Sequence, residues 1–332
     1  MSRSGIAILG DGGWGTTLAL LLHKKKFSLT LWSAFKDYSR YLDRARVNKK
    51  FLPGIKIPRG ISITDDLQAA VSGKDLIVLA VPAQYIRSVL KRIKPGDHLR
   101  DASFLSVSKG IEVGTLRRVS QIVHEELGNV RLAVLSGPTI AHEVALGIPT
   151  TAVIAAADPC LRRHLQGVFM AERFRVYTNE DVVGVELGGS LKNVIAIACG
   201  ISDGLKFGTN AKAAILSRGL VEISRLGHAM GAKVSTFYGI SGLGDLVTTC
   251  ISPYSRNRFV GEQVGRGKAL KEVQLHMQMV AEGIPTTKSA YSLSLKYKVD
   301  MPITREVYQV LYKNKPPLKA VKDLMTREGK EE

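Results

Sequence analysis

A chain of 332 residues, 45% apolar and 23% charged, has material for roughly two domains with ordinary cores. That excludes a small disulfide scaffold, a disordered chain, a collagen and a coiled coil. Lysine and arginine total 47 against 29 acids, and the net charge of +18 favours anionic partners without saying which anion. The basic residues are dispersed, and the short runs at 24–26 and 49–50 interleave no aromatics, so nucleic acid is not an expected partner. Cys160, Cys199 and Cys250 are far apart and form no C-x-x-C pair, which argues for a reducing compartment and against a bound metal. Apolar runs stop early, at Pro82 after 76–81 and at Ser202-Asp203-Gly204 after 194–201, and the N-terminal run 6–9 is too short for a secretion signal. A cytoplasmic protein without integral membrane association is expected.

The first half alternates short β-branched runs with amphipathic stretches. Strands are predicted at 6–9, 29–32, 76–81, 104–107, 132–135 and 151–155, with helices at 16–22, 37–46, 85–93, 116–127 and 141–146 between them. Right-handed crossovers wind such a series into an open sheet covered on both faces. Beyond about residue 181 strand-like runs almost vanish, and helices are predicted at 190–199, 211–230, 259–264, 287–297 and 305–311. The expected architecture is therefore α/β: a Rossmann-like doubly wound sheet over 1–183, followed by an all-α substrate domain over 184–332.

Gly10-Asp11-Gly12-Gly13-Trp14-Gly15 matches G-x-G-x-x-G and lies where it must, between the first predicted strand and the first helix. Gly10 suits the tight turn, Gly12 lets backbone approach a pyrophosphate, and Gly15 lets helix pack on strand, with the helix N-terminus facing the anion. The second strand ends in Trp32-Ser33-Ala34-Phe35-Lys36. No acid stands there to accept ribose hydroxyls, Asp37 comes a turn late, and Ser33 and Lys36 suit a 2′-phosphate, so both NAD and NADP stay open.

Lys192 falls in Gly188-Gly189-Ser190-Leu191-Lys192-Asn193-Val194-Ile195, an otherwise apolar helix. Either it meets a carboxylate and serves acid–base chemistry, or it snorkels to solvent. Lys109, in Ser108-Lys109-Gly110 after a strand, stands at the ligand-binding edge of the sheet, although a single lysine there is also what a surface offers. In Gly239 to Cys250 the dense glycines mark a close-packed loop and helix start that puts Asp245 and Thr249 on one face, with helix capping as the alternative for Asp245. Arg256 and Asn257 present donors suited to a phosphate. His142-Glu143 lacks the second histidine of a zinc helix.

Together the 10–15 turn, Ser108-Lys109-Gly110, Ser136-Gly137-Pro138-Thr139, the 188–194 stretch, Gly242-Leu243-Gly244-Asp245 and Ser252-Pro253-Tyr254-Ser255-Arg256-Asn257 resemble the soluble, bacterial type of NAD(P)-dependent glycerol-3-phosphate dehydrogenase. The resemblance runs from about residue 5 to about 325. It implies Lys192 as general acid and base, Lys109 as a group holding substrate beside the nicotinamide, and Asp245 orienting Lys192. It implies substrate contacts from Lys109, Gly137, Thr139, Asn193, Thr249, Ser255, Arg256 and Asn257. Cofactor contacts would come from Gly10, Gly12, Gly13, Trp14, Gly15, Lys109, Ala141, Arg256, Val280 and Glu282. It further implies NAD or NADP as cofactor, a phosphorylated small-molecule substrate, a homodimer and a role in supplying glycerophospholipid synthesis. One departure is Ala34, where many members carry histidine or arginine. Two rivals are a related two-domain hydroxy-acid dehydrogenase and a non-catalytic basic protein that binds cofactor or nucleic acid.

Overall fold

The computed structural model describes residues 5–94, 96, 101–329 and 331. The chain divides into two compact units, 1–109 with 117–185, and 110–116 with 186–332.

In the first unit the described residues form β1 (Gly5–Leu9), α1 (Gly13–Lys24), β2 (Ser28–Trp32), α2 (Lys36–Ala45), β3 (Ile61–Thr64), α3 (Leu67–Val71), β4 (Leu76–Leu79), α4 (Ile86–Leu90) and β5 (Ser103–Ser106). They continue with α5 (Val119–Leu127), β6 (Arg131–Ser136), α6 (Ala141–Ala145), β7 (Thr150–Ala155), α7 (Pro159–Phe169) and β8 (Phe174–Asn179). The strands order as β3-β2-β1-β4-β5-β6-β7-β8, the doubly wound order with two strands added at one edge. Alternation along β1 shows why both faces must be covered. Ile6 and Ile8 enter one core with Leu18 and Leu22 of α1 and Leu161 and Leu165 of α7, whereas Ala7 and Leu9 enter another with Ile86, Val119 and Ile122.

One pair departs from the parallel winding of the other strands: β6 and β7 pair antiparallel. Five-residue α6 is about 7.5 Å long and cannot carry the chain back along a six-residue strand. The helix predicted from 116 starts instead at Val119, because Leu116 takes a left-handed φ of 61° and breaks the turn.

The second unit is helical: α8 (Val182–Gly204), α9 (Thr209–Ala229), α10 (Val234–Phe237), α11 (Asp245–Ile251), α12 (Arg256–Gly265), α13 (Leu270–Leu275), α14 (Gly283–Lys296), α15 (Pro302–Lys313) and α16 (Pro317–Met325). α8 does not stop at 201; Ser202, Asp203 and Gly204 continue it. It is long and apolar enough by composition to cross a bilayer, contrary to the expectation from its sequence, and it is mostly buried inside the protein as a core helix. Glycines let α12 lie directly against it: a Cβ on Gly261 would stand 2.0 Å from Ile197 O, and one on Gly200 2.0 Å from Arg258 O.

Candidate functional site

In the first unit the turn between β1 and α1 needs its glycines. Gly10 has φ +125°, and a Cβ there would meet Ala80 C and O at 2.7 Å; a Cβ on Gly15 would meet Gly10 O at 2.0 Å. Gly12 differs, because nothing lies within 4 Å of where its Cβ would be. That open space fronts the N-terminus of α1, which no side chain caps and whose first turn carries no acid. Free N–H groups and open room beside a bare glycine fit a pyrophosphate. Among the described residues Trp14 Nε1 is buried with no hydrogen-bond partner. Ala141 adjoins the turn, its Cβ 3.6 Å from a Cβ built on Gly13 and its carbonyl accepting from Thr17 Oγ1 at 3.0 Å.

Lys109 follows β5 at the same C-terminal edge of the sheet. Its Nζ donates to Gly137 O at 2.8 Å and to Thr139 Oγ1 at 3.4 Å, so three residues predicted for the substrate meet. Ser108 fixes the approach by donating to Val81 O at 2.5 Å.

In the second unit Lys192 is 5% exposed and does not snorkel. It donates to the carboxylate of Asp245, itself 1% exposed, and to Thr249 Oγ1 at 2.6 Å. Thr249 Oγ1 donates in turn to Asp245 O at 2.7 Å, one turn back along α11. Gly188 on α8 serves this pair: a Cβ there would stand 2.7 Å from Ser241 O, so only a bare backbone lets the loop before α11 reach α8.

Asn193, next on α8, accepts at Oδ1 from Asn257 Nδ2 at 2.8 Å, and Asn257 Oδ1 accepts from Gly283 N at 2.9 Å. Asn257 is therefore a buried bracket joining α8, α12 and α14, with one N–H left to offer. Ser255 caps α12, its Oγ accepting from Arg258 N at 3.2 Å. Arg256 at the start of α12 is exposed, and among the described residues it makes no hydrogen bond or ion pair. Desolvation by surrounding protein pulls its pKa below the ordinary arginine value, and Glu282 acts the other way. Glu282 and the exposed Val280 lie just before Gly283.

Sequence reasoning missed two supports. Buried Asn48 donates to Asp11 O at 2.7 Å and to Thr16 Oγ1 at 2.8 Å, clamping the glycine turn across 37 and 32 residues. Gly200 and Gly204 on α8 face Gly261 and Gly265 on α12, a four-residue spacing that is visible in the sequence. Among the described residues no group of three or more His, Cys, Asp or Glu side chains could hold a metal ion.

A doubly wound nucleotide fold with a bare glycine turn, followed by a helical unit built around a buried lysine, defines a two-unit NAD(P)-dependent dehydrogenase. Residues 5–161 match the family described as the N-terminus of NAD-dependent glycerol-3-phosphate dehydrogenase, and residues 181–322 match its C-terminus. The chain is 49% identical over 330 residues to the NAD(P)+ glycerol-3-phosphate dehydrogenase of Prosthecochloris aestuarii, covering 98% of this chain and 99% of that one. It is 51% identical to the enzyme of the same name from Geobacter sp. strain M21, covering 98% of each. The crystal structure of glycerol-3-phosphate dehydrogenase from Coxiella burnetii superposes with a TM-score of 0.93 at 39% identity, covering 98% of this chain and 99% of that one. The chain belongs to the NAD(P)+-dependent glycerol-3-phosphate dehydrogenases. It interconverts dihydroxyacetone phosphate and glycerol 3-phosphate.

Proposed function

We propose that Lys192 is the general acid and base of this reaction. The observation that carries the proposal is one ammonium buried in an apolar helix and bonded to a buried carboxylate and a hydroxyl. NAD(P)H, when bound, supplies the hydride that adds to the carbonyl carbon. Lys192 Nζ gives one proton to the carbonyl oxygen, which becomes the C2 hydroxyl and leaves a neutral amine; in the oxidative direction the amine takes that proton back. Asp245 and Thr249 hold Nζ in place through their hydrogen bonds to it. Lys109, carried with Gly137 and Thr139, stabilises negative charge gathering on the substrate oxygen. Arg256 binds the phosphate as a fork of donors, with the remaining N–H of Asn257 beside it. Gly10, Gly12, Gly13, Trp14, Gly15 and Ala141 hold the dinucleotide, and the family resemblance adds Val280 and Glu282 as contacts. We read the enzyme as a cytoplasmic homodimer that supplies glycerol 3-phosphate to phospholipid synthesis, as its resemblance implies.

Lys192→Met tests the assignment. Turnover of dihydroxyacetone phosphate is expected to fall by about 10²- to 10⁴-fold, the range one general acid contributes. NADH binding, followed by quenching of tryptophan fluorescence, is expected to survive. Undiminished turnover would remove Lys192 from the chemistry.

A further inference from the structure

The glycine turn carries an acid. Asp11 Oδ2 accepts a 2.6 Å hydrogen bond from Ser33 Oγ. Ser33 follows Trp32, the last residue of β2, and Gly10 N donates to Trp32 O at 3.0 Å, so the carboxylate sits at the C-terminal tip of β2. In doubly wound folds that tip faces the adenosine ribose, and an acid at the strand end accepts from its 2′-hydroxyl. Here the strand end supplies none. Ser33 is fully buried with its hydroxyl turned to Asp11, Ala34 has no polar group, and Asp37 is exposed within the first turn of α2.

The acid is also held in place. Asn48 grips the Asp11 carbonyl, and Tyr38 Oη donates to Asn48 Oδ1 at 2.7 Å. Among the described residues Ser33 is the one side chain hydrogen-bonded to the carboxylate, whose two oxygens offer about four acceptor sites.

Building on the dinucleotide reading above, we infer that Asp11 replaces the missing strand-end acid: it accepts the ribose hydroxyl of NADH and repels the 2′-phosphate of NADPH. Two cations at this edge act in the opposite sense. Lys36 opens α2, and Lys50 Nζ lies 5.1 Å from the centre of the Phe51 ring and 5.9 Å from that of Tyr38. Both are exposed, where water and salt screen them, whereas Asp11 is 8% exposed and is screened far less.

The test is direct binding of NADH and of NADPH to the substrate-free protein by tryptophan quenching, in the wild type, in Asp11→Asn and in Asp11→Ser. Asp11→Asn keeps the shape and removes the charge; Asp11→Ser guards against a folding defect in the first variant. Wild type is expected to bind NADH more tightly than NADPH. Either variant is expected to shift the ratio toward NADPH by about tenfold or more, the scale of one charged hydrogen bond. NADPH binding to wild type as tightly as NADH, or a ratio unchanged in folded variants, overturns the inference. Failure of both dinucleotides to quench wild type overturns the cofactor reading itself and this inference with it.

Discussion

Arg256 stands out among the proposed site residues because, among the described residues, nothing in its own unit neutralises it by direct contact. An exposed guanidinium at the start of a ten-residue helix adds a fixed charge to the positive end of the helix dipole. Removing it should therefore cost phosphate binding and little else. In Arg256→Ala the KM for dihydroxyacetone phosphate is expected to rise about 10- to 100-fold, since hydrogen bonds to charged groups contribute about 1.5–3 kcal/mol. NADH affinity is expected to change far less, and steady-state kinetics beside fluorescence titration separates the two. An unchanged KM would take the phosphate away from Arg256. Lys192 was legible in the sequence because a charge in an apolar helix is visible one residue at a time, and Arg256 was read there with Asn257 as a donor suited to a phosphate. The partners were less so. Asp245 was singled out as facing one way with Thr249, but that it meets Lys192 across 53 residues came only from the family resemblance. The Asp11–Ser33 bond and the Asn48 clamp had no signal, because each joins a turn to a segment that only folding brings near. Asn257 was read as a phosphate donor, and most of its amide turns out to bind Asn193 and Gly283.

Between elements, one contact makes stability depend on pH. Glu222 on α9 caps α15 by accepting from Ile303 N at 2.5 Å, Thr304 N at 3.0 Å and Thr304 Oγ1 at 2.9 Å. Burial at 2% exposure outweighs those donors and pushes its pKa from 4.5 up to about 7. A raised acid pKa means the folded state favours the protonated form. Its contribution is complete below the ordinary glutamate range and is lost as pH rises through about 7. The whole swing is about 3 kcal/mol, because each pH unit separating the folded and unfolded pKa values is worth about 1.4 kcal/mol. Calorimetry should show the melting temperature of wild type falling between about pH 5 and pH 8 by more than that of Glu222→Gln, which has no proton to lose there. Equal falls would mean that other groups set the dependence. The sequence hid several elements for related reasons. β3 is four residues with one buried, and β8 alternates buried Phe174 and Val176 with exposed Arg175 and Tyr177 at the sheet edge, so neither shows an apolar run. α7 carried a readable start, Asp158 as cap and Pro159 in the first turn, but its Arg-Arg-His stretch masks the buried face made by Leu161, Leu165 and Phe169. α16, with Pro317 at its start, buries only Ala320 fully and leaves Leu318 and Met325 exposed, so a packing face is hard to find in its sequence.

For the whole molecule the governing quantity is charge. A net +18 sets up an attractive field for a phosphorylated substrate and a dinucleotide phosphate alike. Such a field acts on encounter, before any contact forms, and salt screens it: the Debye length shrinks from about 30 Å at 0.01 M to about 10 Å at 0.1 M. Contacts to a desolvated phosphate are screened less, and proton transfer from a buried lysine less still. Raising ionic strength from about 0.01 to 0.2 M should therefore lower kcat/KM for dihydroxyacetone phosphate several-fold through KM, with kcat nearly constant. A parallel series in Arg256→Ala divides the effect. If the dispersed charge does the steering, the variant keeps most of the salt slope at its lower kcat/KM; if its slope vanishes, one guanidinium does the work and the remaining excess of basic residues serves something other than this substrate.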